Sequence, residues 1–442
     1  MEVTKKMLSL FEERFDRDGK NAVAMNAVTS NGIKKAALNY QAARDMRNEF
    51  SISLEQTGVT NQKQSGRCWM FAALNVLRFG VVKKYNLESF EFSQNYTLFY
   101  DKLEKANYFL ENVIETYEEP ADSRLLQHLI GAATQDGGQW DMICNIITKY
   151  GVVPKDAMPE TACSSATAEM DFLLLTKLQE DAMLLRRAMR SGADRAEISA
   201  QKDEMLADIY KILAISLGKP PKTFDFEARD KDKKFIRFRD MTPERFYREF
   251  VGVDVNDYIS VINAPTEDKP YYRSFTVRYL GNVREGRIVR YLNLPSDEVK
   301  ALAIAQLKDG SPVWFGCDVG KEFDRDAGIL DTENYKTDEL FGIRRGMTKG
   351  ERILYGNSLM THAMVFVGVN LDENGLPNRW RVENSWGKER FKEGFMVMSD
   401  RWFDEYNYQV VVHKKYLSAE QRAAYESKPV ELDPWDPMGS LA

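Results

Sequence analysis

The stretch that decides the fold is Asn61-Gln-Lys-Gln-Ser-Gly-Arg-Cys-Trp-Met-Phe-Ala-Ala-Leu74. Its first half is polar and contains a glycine, which is typical of a loop. From Arg67 onward, apolar residues recur at the spacing of an α-helix as far as Leu77 and Val81. The pattern therefore predicts a loop that leads into a buried helix, with Cys68 in the first helical turn.

Cys68 is a candidate nucleophile because of this position. The positive end of a helix and a neighbouring imidazolium both lower a thiol pKa and favour the reactive thiolate. The chain contains three histidines, so few residues can serve as the base. His128 lies in a helix-like stretch without a partner motif, and His413 ends a strand beside two lysines as an edge or surface residue. His362 opens a strongly strand-like run and is the candidate base.

Asn384 is the candidate partner of His362. A hairpin with the loop 372–375 joins the strand opened by His362 to a second strand that ends just before Asn384. Such a hairpin brings the two residues side by side. The amide oxygen of Asn384 then accepts from one imidazole nitrogen and aims the other at Cys68. Trp386 is predicted to cover this hydrogen bond.

Gln62 precedes Cys68 by six residues and is a candidate oxyanion donor. Its side-chain amide and the backbone N–H of Cys68 can together bind a developing oxyanion. Losing one such donor typically costs about 3 kcal/mol of transition-state stabilisation. Gln64 offers a competing amide two residues later. Gly137 and Gly138 interrupt a helical pattern and predict a loop.

Composition narrows the class of protein. The 442 residues carry a net charge of -6 with 29% charged residues of both signs, which argues against binding of a phosphate backbone. No apolar run approaches the roughly 18 residues that span a bilayer, and the first residues predict an amphipathic helix, unlike a secretory signal. The four cysteines are sparse and lack metal-ligand spacing. We therefore expect a cytoplasmic protein without disulfides, metal or cofactor.

The order of helical and strand-like patterns predicts five segments. Helical periodicity on both sides of Ser191-Gly192 indicates a helical hairpin, plausible as an arm projecting from the main body. The predicted segments are an N-terminal helical extension (1–50), a helical half (51–165), a helical insertion or arm (166–255), a β-rich half (256–425) and a C-terminal arm (426–442).

These motifs resemble the papain-type cysteine peptidases: Gln62 with the run 66–69, the strand opened by His362, and Asn384-Ser-Trp-Gly387. The stretches 61–74, 136–142 and 434–442 are most similar to the bleomycin hydrolase and bacterial aminopeptidase C branch. The resemblance extends over the whole chain. It implies an α+β, papain-like fold with a helical half, a β-barrel-like half, a helical hairpin insertion and an extended C-terminal arm. It also implies that Gly137 and Gly138 line the cleft, with Trp69 and Trp386 in supporting roles.

Two departures from the secreted papain pattern are informative. His362 follows Cys68 by 294 residues, about twice the roughly 130–150 expected, and the insertions account for the excess. In the resembled family, secreted members also carry two mutually bonded cysteines, one three residues before the nucleophile and one just before an Asn-Gly-Gly stretch, which is Asp136-Gly137-Gly138 here. Ser65 and Gln135 stand at those places here, as expected for a cytosolic relative.

The resemblance also assigns a role to the tail, whose prolines exclude a continuous helix. Trp435, Met438 and Leu441 are apolar residues that a frayed end has little reason to hold. In the resembled branch this arm lies in the cleft, and its terminal carboxylate pairs with the substrate's α-amino group. The anchor here would be Ala442. The implied activity is that of a cysteine aminopeptidase acting on peptides through an acyl-enzyme, in a homohexamer whose active sites face an internal chamber.

Three other functions are compatible with part of this pattern. Relatives with this fold act as cysteine endopeptidases or oligopeptidases, and small changes in the cleft would produce that activity. A papain-like acyltransferase or transglutaminase is a second alternative, although Gln62 and the run 384–387 favour hydrolysis. A nucleic-acid-binding role, known among eukaryotic relatives, is disfavoured by the acidic net charge.

Overall fold

A helical half precedes a sheet-based half along the chain in the computed structural model, which describes residues 2–55 and 58–441. The helices are α1 (Lys5–Arg17), α2 (Gly19–Asn31), α3 (Ile33–Ala37), α4 (Tyr40–Asp45), α5 (Cys68–Tyr85), α6 (Gln94–Glu115), α7 (Arg124–Ala132), α8 (Trp140–Tyr150), α9 (Ala162–Ser165), α10 (Ala168–Arg190), α11 (Arg195–Leu217), α12 (Pro243–Arg245), α13 (Ser296–Lys308), α14 (Thr337–Phe341), α15 (Lys349–Leu354), α16 (Asp400–Tyr406) and α17 (Ala419–Glu426). None of the helices in these ranges is long and apolar enough to cross a membrane.

The strands are β1 (Ile52–Ser53), β2 (Phe224–Arg229), β3 (Phe235–Met241), β4 (Tyr258–Ile262), β5 (Arg273–Val277), β6 (Tyr291–Asn293), β7 (Val313–Cys317), β8 (Phe323–Asp324), β9 (Ile329–Leu330), β10 (His362–Leu371), β11 (Pro377–Glu383), β12 (Phe395–Ser399), β13 (Asn407–His413) and β14 (Val430–Leu432). Apart from the separate pair β2–β3, they form one sheet in the order β14-β5-β6-β4-β13-β7-β10-β11-β12-β9-β8, with β1 paired to β10. The predicted helical half, β half and hairpin between β10 and β11 are therefore confirmed.

Strand β10 divides the interior into two cores. Side chains alternate between the faces of a strand. Ala363 and Val365 accordingly pack in the core shared with α5 and the other N-terminal helices. Met364 and Phe366 face a second core, which α13 and α16 close on the other side of the sheet. The face toward α5 brings the start of β10 beside the start of α5, and this contact positions the candidate site.

The helical hairpin formed by α10 and α11 is present, but it does not project as an arm. Both helices pack against α6, and buried residues such as Leu174, Leu185 and Leu213 belong to the first core. An apolar stripe on each helix explains the docking, because exposing it to water would cost more than packing it. The segment 166–255 also contains the antiparallel pair β2–β3, which the charged sequence around residues 230–234 obscured.

Candidate active site

Cys68 is the first residue of α5 and is buried. The carbonyl of Arg67 accepts the N–H groups of Met70 and Phe71, so the loop passes directly into the helix. The Cys68 sulfur accepts the backbone N–H of Ala363 at 3.4 Å. The nucleophile candidate on the helical half therefore touches the strand residue that follows His362.

His362 and Asn384 lie side by side, as the hairpin spacing predicts. Nε2 of His362 is 2.9 Å from Oδ1 of Asn384. The same oxygen accepts the Ser385 N–H at 2.7 Å, which fixes the amide so that its oxygen faces the imidazole. The Trp386 ring lies 5.0 Å from the imidazole, measured between centroids, and inclined by 33°. The indole therefore shields the hydrogen bond and leaves Nδ1 as the other basic position of the ring.

Burial favours the neutral forms of the thiol and the imidazole. It raises the pKa of Cys68 from 9.0 to about 11, although the N–H of Ala363 and those of the first helical turn favour the thiolate. Burial also lowers the pKa of His362 from 6.5 to about 4, although the hydrogen bond that the imidazole donates to Oδ1 of Asn384 favours the protonated form. At neutral pH the site therefore holds its proton on sulfur, with the imidazole free to accept it.

The side chain of Gln62 is buried and Gln64 is exposed, so these two amides have different surroundings. Nε2 of Gln62 donates to the Ser65 carbonyl at 2.6 Å, and Oε1 accepts the Ser385 hydroxyl at 2.5 Å. The Ser385 hydroxyl thus fixes the orientation of the Gln62 amide, with its NH₂ group toward Ser65. Both Gln62 and Ser65 lie in the loop 61–67 before Cys68, called the nucleophile loop below. Sequence reasoning treated Ser385 only as part of a motif, and its position directly after Asn384 was the available signal.

The loop that carries Gly137 and Gly138 lies against Trp69. The Trp69 indole N–H donates to the Asp136 carbonyl at 2.7 Å. A Cβ atom at Gly138 would lie 2.6 Å from the indole ring. Packing against Trp69 therefore requires glycine at residue 138, in addition to the substrate access suggested by the resemblance.

Arg67 has a role that sequence reasoning missed. Its guanidinium is fully buried and forms a two-bond ion pair with Glu160 at 3.1 and 2.7 Å. Nε donates to the Ser65 hydroxyl at 2.9 Å, and the guanidinium lies 5.0 Å from the centre of the Phe71 ring. These contacts fix the residue immediately before Cys68. An arginine inside an otherwise apolar helix start was the one sequence signal for them.

The other two histidines lie elsewhere, as expected. His128 is on α7, where burial and the charge of Arg124 lower its pKa. His413 ends β13, with Nε2 3.7 Å from an oxygen of Asp257. Strand β13 itself lies between β4 and β7, so only the end residue His413 is partly exposed. Neither imidazole has a contact with the cysteine on α5.

The C-terminal arm returns to the two walls beside the candidate triad of Cys68, His362 and Asn384. One wall is the loop 133–139, and the other is the segment just before His362. After β14, Met438 is buried and its carbonyl accepts the Tyr291 hydroxyl at 3.1 Å. The Ser440 carbonyl accepts from Nε2 of Gln139 at 2.7 Å, and the Ser440 hydroxyl donates to the Met360 carbonyl at 2.6 Å. Ser440 thus connects Gln139, the residue after Gly138, with Met360, which lies two residues before His362 at the start of β10. The predicted anchor, Ala442, lies outside the described residues.

The fold and this constellation are those of a papain-like cysteine peptidase. The chain belongs to the Peptidase C1-like family, whose model matches residues 2–439. It is 49% identical over its full length to aminopeptidase C from Listeria innocua, covering 99% of that protein. It is 42% identical to bleomycin hydrolase from Gallus gallus over 98% of this chain and 97% of the relative. The crystal structure of PepW from Lactobacillus rhamnosis superposes with a TM-score of 0.98 at 51% identity, covering 100% of this chain and 99% of that one.

Proposed function

We propose that the chain is a cysteine aminopeptidase that releases N-terminal residues from peptides. Cys68 is the nucleophile, His362 the base and Asn384 the residue that orients it. The observation that carries this proposal is the position of Ser440, hydrogen-bonded to both walls beside the triad. A tail in this place closes the cleft on one side, and the relatives named aminopeptidase C support the same activity.

The reaction we propose begins with transfer of the Cys68 proton to Nδ1 of His362. The sulfur attacks the carbonyl carbon of the N-terminal residue, and Nε2 remains bonded to Asn384. Gln62 and the backbone N–H of Cys68 stabilise the oxyanion. When the C–N bond breaks, His362 returns the proton to the leaving amine. A water molecule, deprotonated by the same imidazole, then hydrolyses the thioester.

Substrate selection in this proposal belongs to the cleft edge and the tail. Gly137 and Gly138 offer backbone groups to the substrate chain. The carboxylate of Ala442, beyond Ser440 and Leu441, pairs with the α-ammonium of the peptide. This pairing would select against N-blocked peptides, because a blocked N-terminus carries no positive charge to offset the carboxylate.

Two variants test the proposal. Cys68→Ser should abolish hydrolysis of an aminoacyl-naphthylamide, with Cys163→Ser, a cysteine of α9, as the matched control that keeps wild-type activity. Removal of residues 439–442 should reduce aminopeptidase activity and admit an N-blocked peptide. Full activity in Cys68→Ser would refute the nucleophile. A truncated chain with unchanged preference would refute the role of the tail, and a full-length chain that prefers the N-blocked peptide would be an endopeptidase.

We also propose a cytoplasmic homohexamer. Large apolar side chains are exposed on the N-terminal helices, including Phe11 and Phe15, and on the helical hairpin, including Phe172 and Ile215. Exposed apolar side chains of this size are available for contacts between subunits. Sedimentation analysis should give about six times the chain mass of 50.9 kDa, and Phe172→Glu should lower it. A monomer at micromolar concentration would refute the assembly.

A further inference from the structure

Two buried lysines of α6 lie beneath the loop that contains Gly137 and Gly138. Lys102 is 1% exposed in its side chain. Its ammonium donates to the Thr134 carbonyl at 2.6 Å and pairs with Asp136 at 2.8 Å and with Asp171 at 2.6 Å. The three donors of this ammonium therefore meet three oxygens, two of them from the loop itself.

Lys105, one helical turn later, continues the arrangement. It donates to the carbonyls of Gln135 at 2.9 Å and Gly137 at 2.8 Å, and pairs with Asp101 at 2.7 Å. The ammonium also lies 5.2 Å from the centre of the Trp69 ring. The two lysines thus bind the carbonyls of three of the four residues from 134 to 137.

Asp136 connects this loop to the nucleophile. Its Oδ2 accepts the Gly66 N–H at 2.8 Å and the Thr167 hydroxyl at 2.5 Å. The ammonium of Lys102 and these two donors hold the pKa of Asp136 well below its ordinary value despite burial. One ionised carboxylate therefore joins α6, the loop and the residue two before Cys68.

Such a network is an expensive way to stabilise a fold. Desolvation of buried charges offsets most of their attraction, and apolar residues of similar size often serve stability equally well. Ionised groups instead fix the positions of their partners, because the three N–H donors of an ammonium can reach only a few arrangements of surrounding oxygens.

We propose that Lys102 and Lys105 are positioning residues of the active site. By binding the loop carbonyls and, through Asp136, the nucleophile loop, they set the place of the Gly137–Gly138 edge relative to Cys68. This inference rests on the proposed function, in which that edge receives the substrate chain. It predicts that weakening the network impairs substrate placement more than the reactivity of the thiol.

The test is the double variant Lys105→Met/Asp101→Asn, which removes both charges of one pair and leaves no carboxylate unpaired. The matched control is Lys202→Met/Glu111→Gln. Glu111 lies on α6, as Lys105 does, and it pairs with Lys202 of α11. For an aminoacyl-naphthylamide, KM should rise about 10-fold in the first variant, because small displacements of substrate contacts are costly. The rate of thiol alkylation by iodoacetamide should stay at the wild-type value.

Equal KM values in the two double variants, with only the melting temperature lowered in the first, would overturn the inference. If the first variant does not fold, Thr167→Val decides by the same two measurements, since it removes a single donor to Asp136. Hydrolysis by the alkylated wild-type chain shows whether a failure concerns this inference or the proposed function. Hydrolysis that survives alkylation of the wild type would refute the nucleophile, and the inference with it. Thiol-dependent hydrolysis with an unchanged KM in the variants would refute the inference alone.

Discussion

Replacing Asn384 by alanine is the most direct test of how the site works. The Asn384 side chain is buried, and its Oδ1 accepts both from His362 and from the Ser385 N–H. The variant leaves two buried donors without an acceptor, each worth about 1–3 kcal/mol of stability. It also removes the acceptor that holds the imidazole proton on Nε2 and keeps Nδ1 free as a base.

The loss of activity can be estimated from that one hydrogen bond. When His362 takes the thiol proton it becomes an imidazolium, and the bond to Asn384 becomes charge-assisted. A bond of this kind contributes about 1.5–3 kcal/mol. If that stabilisation is made mainly in the transition state, kcat/KM for an aminoacyl-naphthylamide should fall by about 10- to 100-fold. KM should change little, since Asn384 does not touch the substrate in the proposed reaction.

Two further variants make the result interpretable. Asn374→Ala, an exposed amide in the loop of the same hairpin, should retain wild-type kinetics. Asn384→Asp keeps an acceptor but places a negative charge beside the imidazole, so it should raise the pKa of His362. The acid limb of the alkylation rate should then move to higher pH. Wild-type kcat/KM in Asn384→Ala would show that the histidine needs no orienting partner, and the reasoning would fail.

Three other outcomes follow from the same geometry. The pKa of His362 is lowered to about 4 and that of Cys68 is raised to about 11. The rate of alkylation by iodoacetamide should therefore stay level on acidification from neutral pH and halve only near pH 4. A rate that halves near pH 6.5 would contradict the burial argument. Arg67→Met removes the partner of the partly exposed Glu160 carboxylate and should lower the free energy of unfolding by about 1–3 kcal/mol in urea melts. Gly138→Ala should lose about 1–3 kcal/mol through contact with the adjacent indole, whereas Gly80→Ala, with open space around it, should raise the melting temperature.

The sequence predicts the juxtaposition of His362 and Asn384 well because the information is local. His362 and Asn384 are joined by one hairpin, and hairpin register follows from strand periodicity and turn residues. The helix that begins at Cys68 is likewise visible in apolar spacing. What brings the two parts together, the packing of α5 on β10, has no local signal and came only from the family resemblance.

The polar contacts behind the site were not predictable in the same way. Lys102 and Lys105 occur in a helix rich in charged and aromatic residues, where periodicity does not separate a buried lysine from a solvated one. Their partners include loop carbonyls some 30 residues later. Arg67 meets a carboxylate 93 residues away. Side-chain to backbone contacts at such separations leave no repeating pattern, so single-sequence reasoning passes over them.

The residues proposed for catalysis and the tail proposed for specificity are held by contacts of very different total strength. The triad depends on α5 and on strands inside the sheet, whose loss would unfold the protein. The end of the tail is held to the rest of the protein by the hydrogen bonds of Ser440 to Gln139 and Met360 and by the packing of Leu441. Each such bond contributes about 1 kcal/mol, against a stability of roughly 5–15 kcal/mol for a folded protein. A chain shortened by residues 439–442 should therefore stay folded with its triad in place, so that a change in its preferred substrate reports on the tail alone.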